Sequence, residues 1–229
     1  MKLIKLFSYL FINIVRLFNL VELYQPTYNP KKYPLIKAKF CKRNCHDRLS
    51  AIREKIDFSY IGSYLDIGSQ LGYFVFDLAK LNRNMIAHGI EMNAIACAYS
   101  TSILFLNNLK NISFSNTKIN PEIAKKIPKY DVISFLDVFH HIVFFDGYEA
   151  ADEIMHQLYK KCNLYFIFET GQYDEKGYYW SEKLNFMGKN PTKWINDYLL
   201  SLGYSEVKLI REFSTHLSDK KRALFICKK

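Results

Sequence analysis

The 229-residue sequence is short of acid, of patterned cysteine and of uninterrupted apolar stretches, and each shortage closes off a class of protein. Its five cysteines (Cys41, Cys45, Cys97, Cys162 and Cys227) are odd in number and follow no framework spacing, which excludes a small disulfide-stapled secreted fold. Cys97, Cys162 and Cys227 fall in apolar segments and read as reduced core thiols, so the compartment reads as cytosolic. Cys41-x-x-x-Cys45-His46 has no second ligand pair, and a zinc site is not expected. Repeats and low-complexity tracts are missing. With 49% apolar and 24% charged residues, the composition is globular rather than disordered.

The acid shortage is marked: 22 Asp and Glu stand against 32 Lys and Arg, for a formal net charge of +10. Such a balance favours an anionic partner, whether a phosphorylated substrate, a nucleic acid or an anionic membrane surface. A generally lysine-rich composition explains it equally well. No charge-free run of about twenty residues exists to span a bilayer. Met1–Leu20 is apolar but broken by Lys2, Lys5, Ser8, Asn13, Arg16 and Asn19, and it lacks a small-residue cleavage site. On a helical wheel those six residues occupy one arc of roughly 140°. Residues 1–21 are therefore expected to form an amphipathic helix lying in a membrane interface, or packed on its own domain or a second subunit.

Residues 22–58 read as a basic cap that ends in a helix near Asn44–Lys55, and residues 59–229 as the main domain. The domain alternates strands and helices. Strands are expected at Ile61–Ile67, Met85–Glu91, Ile112–Ser115, Tyr130–Leu136 and Leu164–Glu169, and helices at Tyr73–Leu81, Ala94–Leu106, Tyr148–Lys161 and Pro191–Leu202. A closing pair of strands, Val207–Phe213 and Arg222–Lys228, is placed to form a hairpin. This order predicts an α/β fold: a doubly wound, mostly parallel, seven-stranded sheet with an antiparallel edge.

The stretch Tyr64–Phe74 carries the most chemistry. It runs from a strand through Asp66-x-Gly68-x-x-x-Gly72 into a helix, and Glu91 closes the next strand, where a carboxylate can accept both hydroxyls of a ribose. A dinucleotide fingerprint places Gly-x-Gly-x-x-Gly at such a turn to cradle a pyrophosphate. Here Ser69-Gln70 stands where the second glycine would be, which points to a nucleoside ligand such as S-adenosylmethionine rather than NAD. His140 and His141 follow a strand that ends at Asp137, where ligands bind in open α/β sheets. One of the pair could equally bond backbone beneath the loop.

Several segments together resemble one family. They are Tyr24-Gln25, Arg48-Leu49, Asp66-Ile67-Gly68-Ser69-Gln70-Leu71-Gly72-Tyr73-Phe74, Asp137-Val138-Phe139-His140-His141-Ile142-Val143, Glu169-Thr170, Tyr179-Trp180 and Glu212-Phe213-Ser214-Thr215-His216-Leu217-Ser218. The chain is similar to class I S-adenosylmethionine-dependent methyltransferases, and from Glu22 onward to the methyltransferase domain of the kinase–methyltransferases that cap bacterial O-antigen chains. No kinase half is legible in it, so a phosphorylated acceptor would come from another enzyme. The resemblance implies O-methylation of a phosphate, phosphate-like group or sugar hydroxyl on a surface polysaccharide or its nucleotide-linked precursor. It implies cofactor contacts at Tyr24, Gln25, Arg48, Gly68, Glu91, Met92 and Asn93; class-wide chemistry adds Asp66, Ser69, Gly72 and Asp137.

On the acceptor side the candidates are His140, His141, Glu169 and His216, with Tyr178-Tyr179-Trp180 as a lid. Glu169 is expected at a cleft mouth, because a carboxylate is not left unpaired in a core. Arg48 is placed to pair with a carboxylate, or is a helix-surface charge. Lys125-Lys126 and Lys220-Lys221-Arg222 read as solvated faces. An RNA acceptor would suit the charge, although basic and aromatic residues are not interleaved on one element. A catalytically silent binding subunit is disfavoured by intact Gly68, Gly72 and Glu91.

Overall fold

Long buried apolar runs set the strands, and the asparagines and glycines between them set where helices begin. The computed structural model describes residues 2–22, 24–28, 35, 45–215 and 219–229. The chain divides into two compact units, Met1–Leu49 with Phe58–Lys118, and Ser50–Asp57 with Ile119–Lys229.

The first unit holds helix α1 (Lys2–Leu17), most of α2 (Cys45–Arg53), strand β1 (Ser63–Ile67), α3 (Tyr73–Ala79), β2 (Ile86–Glu91), α4 (Ala94–Asn107) and β3 (Ile112–Asn116). Its three strands are parallel, with Asp66 opposite Gly89 and Gly89 opposite Phe114. Asn93 caps α4 by accepting from the Ile95 and Ala96 N–H groups. Gly72, at φ 76°, opens α3. A Cβ on it would stand 2.6 Å from Phe114 Cζ, and one on Gly89 would stand 2.6 Å from Phe114 Cδ1. The missing Cβ at Gly72 therefore makes room for a core ring as well as permitting the left-handed turn.

Helix α1 packs on α4 within this unit. It does so with its polar side: Ser8, Ile12, Val15 and Arg16 are buried, and Arg16 Nη1 donates to Tyr99 Oη at 2.9 Å and Thr27 Oγ1 at 3.0 Å. The wide apolar face is left in solvent, with Leu3, Phe7, Leu10, Ile14, Leu17 and Phe18 all exposed. No helix among the described residues is long and apolar enough to cross a membrane.

The second unit holds α5 (Pro121–Lys126), β4 (Tyr130–Leu136), α6 (Phe139–Asp146), α7 (Tyr148–Lys161), β5 (Cys162–Glu169), a short 3-10 segment (Ser181–Met187), α8 (Pro191–Ser201), β6 (Glu206–Ser214) and β7 (Lys221–Lys228). β4 and β5 are parallel, β7 lies antiparallel beside β5, and β6 pairs antiparallel with β7. The strand order is β3-β2-β1-β4-β5-β7-β6, the expected mostly parallel seven-stranded sheet with a C-terminal antiparallel pair. β6 ends the order and carries Glu206, Lys208, Arg211 and Glu212 on exposed positions, charges that discourage edge-to-edge pairing.

Two helices were not legible in the sequence. α5 has six residues, too few for a period, although Asn120 caps it and Pro121 opens it. α6 is apolar through most of its length, so it has no polar stripe to mark it. Of the cysteines, Cys45, Cys97, Cys162 and Cys227 are buried, and burial pushes the Cys162 thiol up to about 12. Cys41, and with it the Cys41–Cys45–His46 spacing, lies outside the described residues.

Replacing Gly72 with Ala is expected to destabilise the chain by roughly 2–4 kcal/mol, from left-handed strain together with overpacking against Phe114. Urea unfolding should register this as a lower midpoint with an unchanged slope.

Candidate functional site

The first unit's candidates converge on the turn after β1. Gly68 (φ 76°) and Gln70 (φ 46°) are both left-handed. That conformation costs a residue with a Cβ roughly 1–2 kcal/mol, and at Gln70 three hydrogen bonds stand against it. Its N–H donates to Glu91 Oε2 at 2.8 Å, its Oε1 accepts from the Gln25 N–H at 3.0 Å, and its Nε2 donates to the Glu22 carbonyl at 2.6 Å. Gln25 Oε1 in turn accepts from the Tyr73 N–H at 3.3 Å, at the first residue of α3. Glu22 and Gln25 are thus strapped to the turn by two reciprocating glutamines, which gives Gln25 a positioning role and accounts for a glutamine where a dinucleotide site has glycine. Tyr24, half-buried, sits in the same strap.

Glu91 ends β2, buried, with both oxygens engaged: Oε1 accepts from the Asn93 N–H at 2.7 Å while Oε2 holds Gln70. A carboxylate has about four acceptor positions, so roughly two remain. That is the requirement for gripping the adjacent hydroxyls of a ribose. Asn116 Nδ2 donates to the Glu91 and Met92 carbonyls, fixing the backbone there, and Met92 is exposed. Gly68 and Ser69 both send their N–H groups to the Ile90 carbonyl. Those two amides belong to the fold and are not offered to a ligand. The fully buried Ser69 hydroxyl has no hydrogen-bond partner among the described residues. Asp66 is buried in β1, and Arg48 is 1% exposed, so it is not a helix-surface charge.

In the second unit the organising residue is one the sequence reading set aside. Arg222 was expected on a solvated face, yet it is 1% exposed. β7 is an interior strand of the sheet order, so a side chain alternating inward from it is buried. Its Nε and Nη2 donate to the two oxygens of the fully buried Glu175 at 2.8 Å each, and Nη1 lies 3.0 Å from Asp137 Oδ1. Asp137 is itself left-handed (φ 60°), with its N–H on the Glu169 carbonyl at 2.8 Å. The ion pair thus occupies Asp137, which had been grouped with the cofactor residues, and fixes the sharp turn at the end of β4.

The two histidines have different environments. His140 is 1% exposed; its Nδ1 accepts from the Gly171 N–H at 2.9 Å and contacts Thr170 Oγ1 at 3.2 Å. That contact ties His140 to the loop after β5 through Nδ1. His141 is only partly buried and pairs through Nδ1 with Tyr179 Oη at 2.9 Å. Burial depresses its pKa below the ordinary 6.5, with Asp137 opposing the shift and Arg222 adding to it.

The rings of His140, His141, Tyr179 and Trp180 pack together, and Phe144 and Phe145 reach Tyr179. Tyr179 and Phe145 remain largely exposed, whereas Trp180 is buried, with its Nε1 unpaired among the described residues. Gln172 Nε2 is a second buried donor of that kind. Gly171 is forced by this packing, because a Cβ there would lie 2.7 Å from Trp180 Nε1. Glu169, expected at a cleft mouth, is fully buried at the end of β5, opposite Leu136 of β4. His216 lies outside the described residues. Gln172, Glu175 and Arg222 could not be found from the sequence, since only folding brings Arg222 of β7 to Glu175 in the loop after β5 and to Asp137 after β4.

Arg222→Met is expected to cost about 3–5 kcal/mol, because it strands the Glu175 carboxylate in the core. Adding Glu175→Gln should recover much of that loss, and the four corners of the cycle can be read by thermal unfolding.

Residues 62–186, more than half of the chain, match the family described as a methyltransferase domain. Among solved structures, the bifunctional kinase–methyltransferase WbdD aligns with a TM-score of 0.76 at 23% identity, over 94% of this chain and 45% of that one. The chain thus spans less than half the length of that protein. Magnesium protoporphyrin IX methyltransferase (ChlM) from Synechocystis PCC 6803, solved with bound SAH, aligns with a TM-score of 0.59 at 14% identity, over 80% of each chain. EvdMO1 aligns with a TM-score of 0.59 at 12% identity, over 90% of this chain and 45% of that one. No curated protein shows significant similarity. With the family matched across its central half and the fold shared along most of its length, the chain belongs to the methyltransferase-domain family and has the class I fold.

Proposed function

We propose that the chain transfers a methyl group from S-adenosylmethionine to an oxygen of a bacterial surface glycan or its nucleotide-linked precursor. The observation that carries the acceptor reading is His141: a half-buried histidine just after β4, its pKa lowered by burial, bonded to Tyr179 beside the exposed ring of Phe145. Exposed aromatic faces suit the apolar face of a sugar, and a neutral imidazole suits proton removal from a hydroxyl.

The residues of the first unit fit the cofactor. Glu91, already fixed by two backbone N–H groups, keeps acceptor positions for the ribose hydroxyls, and the unpaired Ser69 hydroxyl lies buried in the same turn. Arg48 would meet the amino-acid carboxylate, a role resting on the family resemblance. S-Adenosylmethionine, when bound, supplies an electrophilic methyl on a sulfonium, and alignment of that group with the acceptor is most of the catalysis. ChlM, solved with SAM and SAH, supports this choice of cofactor.

The acceptor residues divide the remaining work. With Nδ1–H donating to Tyr179 Oη, His141 keeps the Nε2 lone pair to take a hydroxyl proton. Trp180 Nε1 and Gln172 Nε2 are donors for an acceptor oxygen. The family resemblance of the sequence favours a second reading, a phosphate oxygen, which is already anionic and needs no base. In that case His141 only positions the acceptor.

Calorimetry with S-adenosylhomocysteine is expected to show binding, weakened roughly tenfold or more by Glu91→Gln, since bonds to a charged acceptor contribute about 1.5–3 kcal/mol. An undetectable signal for the unaltered chain would sink the proposal. With a hydroxyl acceptor, His141→Asn should lower kcat about 100- to 10,000-fold. The base is the neutral imidazole, whose pKa lies below 6.5, so the wild-type rate should hold as pH falls to 6.5 and decline only below it. A flat pH profile with an effect on KM alone identifies a phosphate acceptor. Methyl transfer to RNA but to no phosphorylated or free sugar would refute the glycan reading.

A further inference from the structure

The exposed face of α1 is an interaction surface, and we propose that it docks the protein on an anionic lipid bilayer. Docking does not depend on the acceptor assignment. An amphipathic helix that belongs only to a globular fold turns its apolar stripe inward. α1 does the reverse: Ser8 and Arg16 lie on the buried side, and the Arg16 guanidinium is held by Tyr99 and Thr27. Its fold contacts are therefore complete without the apolar face. That face carries Leu3 at 64%, Phe7 at 62%, Leu17 at 59% and Phe18 at 65% exposure, and Leu10 and Ile14 lie between them, also exposed. Contiguous apolar surface of this kind on a chain marks a binding face.

Length and charge choose the occupant. Sixteen helical residues reach about 24 Å, short of the roughly 30 Å needed to span hydrocarbon, so the helix would lie in the interface rather than cross. Residues 1–43 contain nine Lys or Arg and a single acid, Glu22, a formal +8 out of the chain's +10. Basic residues near an anionic surface add about 1 kcal/mol each. A second copy would instead carry the same excess of positive charge. An anionic bilayer offers apolar depth and negative charge at once.

The full-length protein should co-sediment with vesicles containing 30% phosphatidylglycerol, less with pure phosphatidylcholine, and less in 0.5 M salt. Phe7→Glu with Ile14→Glu should reduce the vesicle-bound fraction at least tenfold. Its melting temperature and S-adenosylhomocysteine affinity should be unchanged, because neither side chain is in the core. Lys2→Gln with Lys5→Gln should selectively weaken binding to the anionic vesicles. Failure of the wild type to bind, or equal binding by the Phe7/Ile14 variant, would overturn the proposal. So would a concentration-dependent dimer in sedimentation velocity that the same variant abolishes, without vesicle binding, since the face would then belong to a second copy.

Discussion

The Glu91 carboxylate joins two junctions of the first unit. One oxygen takes the Gln70 N–H from the turn after β1, and the other takes the Asn93 N–H at the start of α4. A buried carboxylate is costly unless such donors meet it. Once they do, both junctions are fixed relative to the end of β2. The left-handed Gln70, the strap from Gln25 and the cap of α4 all follow from that arrangement. The acid expected to grip a ribose is therefore also the residue that shapes the turn around it. Preorganisation of this kind saves a binding site from ordering its own walls when ligand arrives.

The second unit repeats the logic with the charges exchanged. Arg222 meets Glu175 through a bidentate pair and reaches Asp137 with its remaining nitrogen. A buried pair of this sort contributes little net stability over an apolar filling, but it is directional. Here it holds Asp137 in a left-handed conformation immediately before the helix that carries His140 and His141. Of those two, His140 is tied through Nδ1 to Gly171 and Thr170, and His141 through Nδ1 to Tyr179.

Strand and helix order, the antiparallel pair, the left-handed turn at Gly72 and the place of Glu91 at the end of β2 were legible in the sequence because each is local. A buried parallel strand reads as an apolar run, and a turn that needs positive φ reads as glycine. Even there, tertiary contact added a reason: Gly72 is glycine for Phe114 as well as for its own backbone. α6 escaped because a helix that is apolar nearly all round has no stripe to read.

By itself the sequence determined the α/β plan, the position of the glycine turn after β1 and the amphipathic character of residues 1–20, since periodicity and spacing are properties of neighbours along the chain. Only the tertiary structure decided that Arg222 is a core cation and not a surface charge, and that His140 is buried while His141 is half-buried. It alone decided that α1 turns its polar side inward. Burial and pairing depend on residues distant in sequence: Arg222 meets Glu175 across 47 positions, and Arg16 meets Tyr99 across 83. A wheel or a motif separates the faces of an element, but which face is covered is settled by what packs against it.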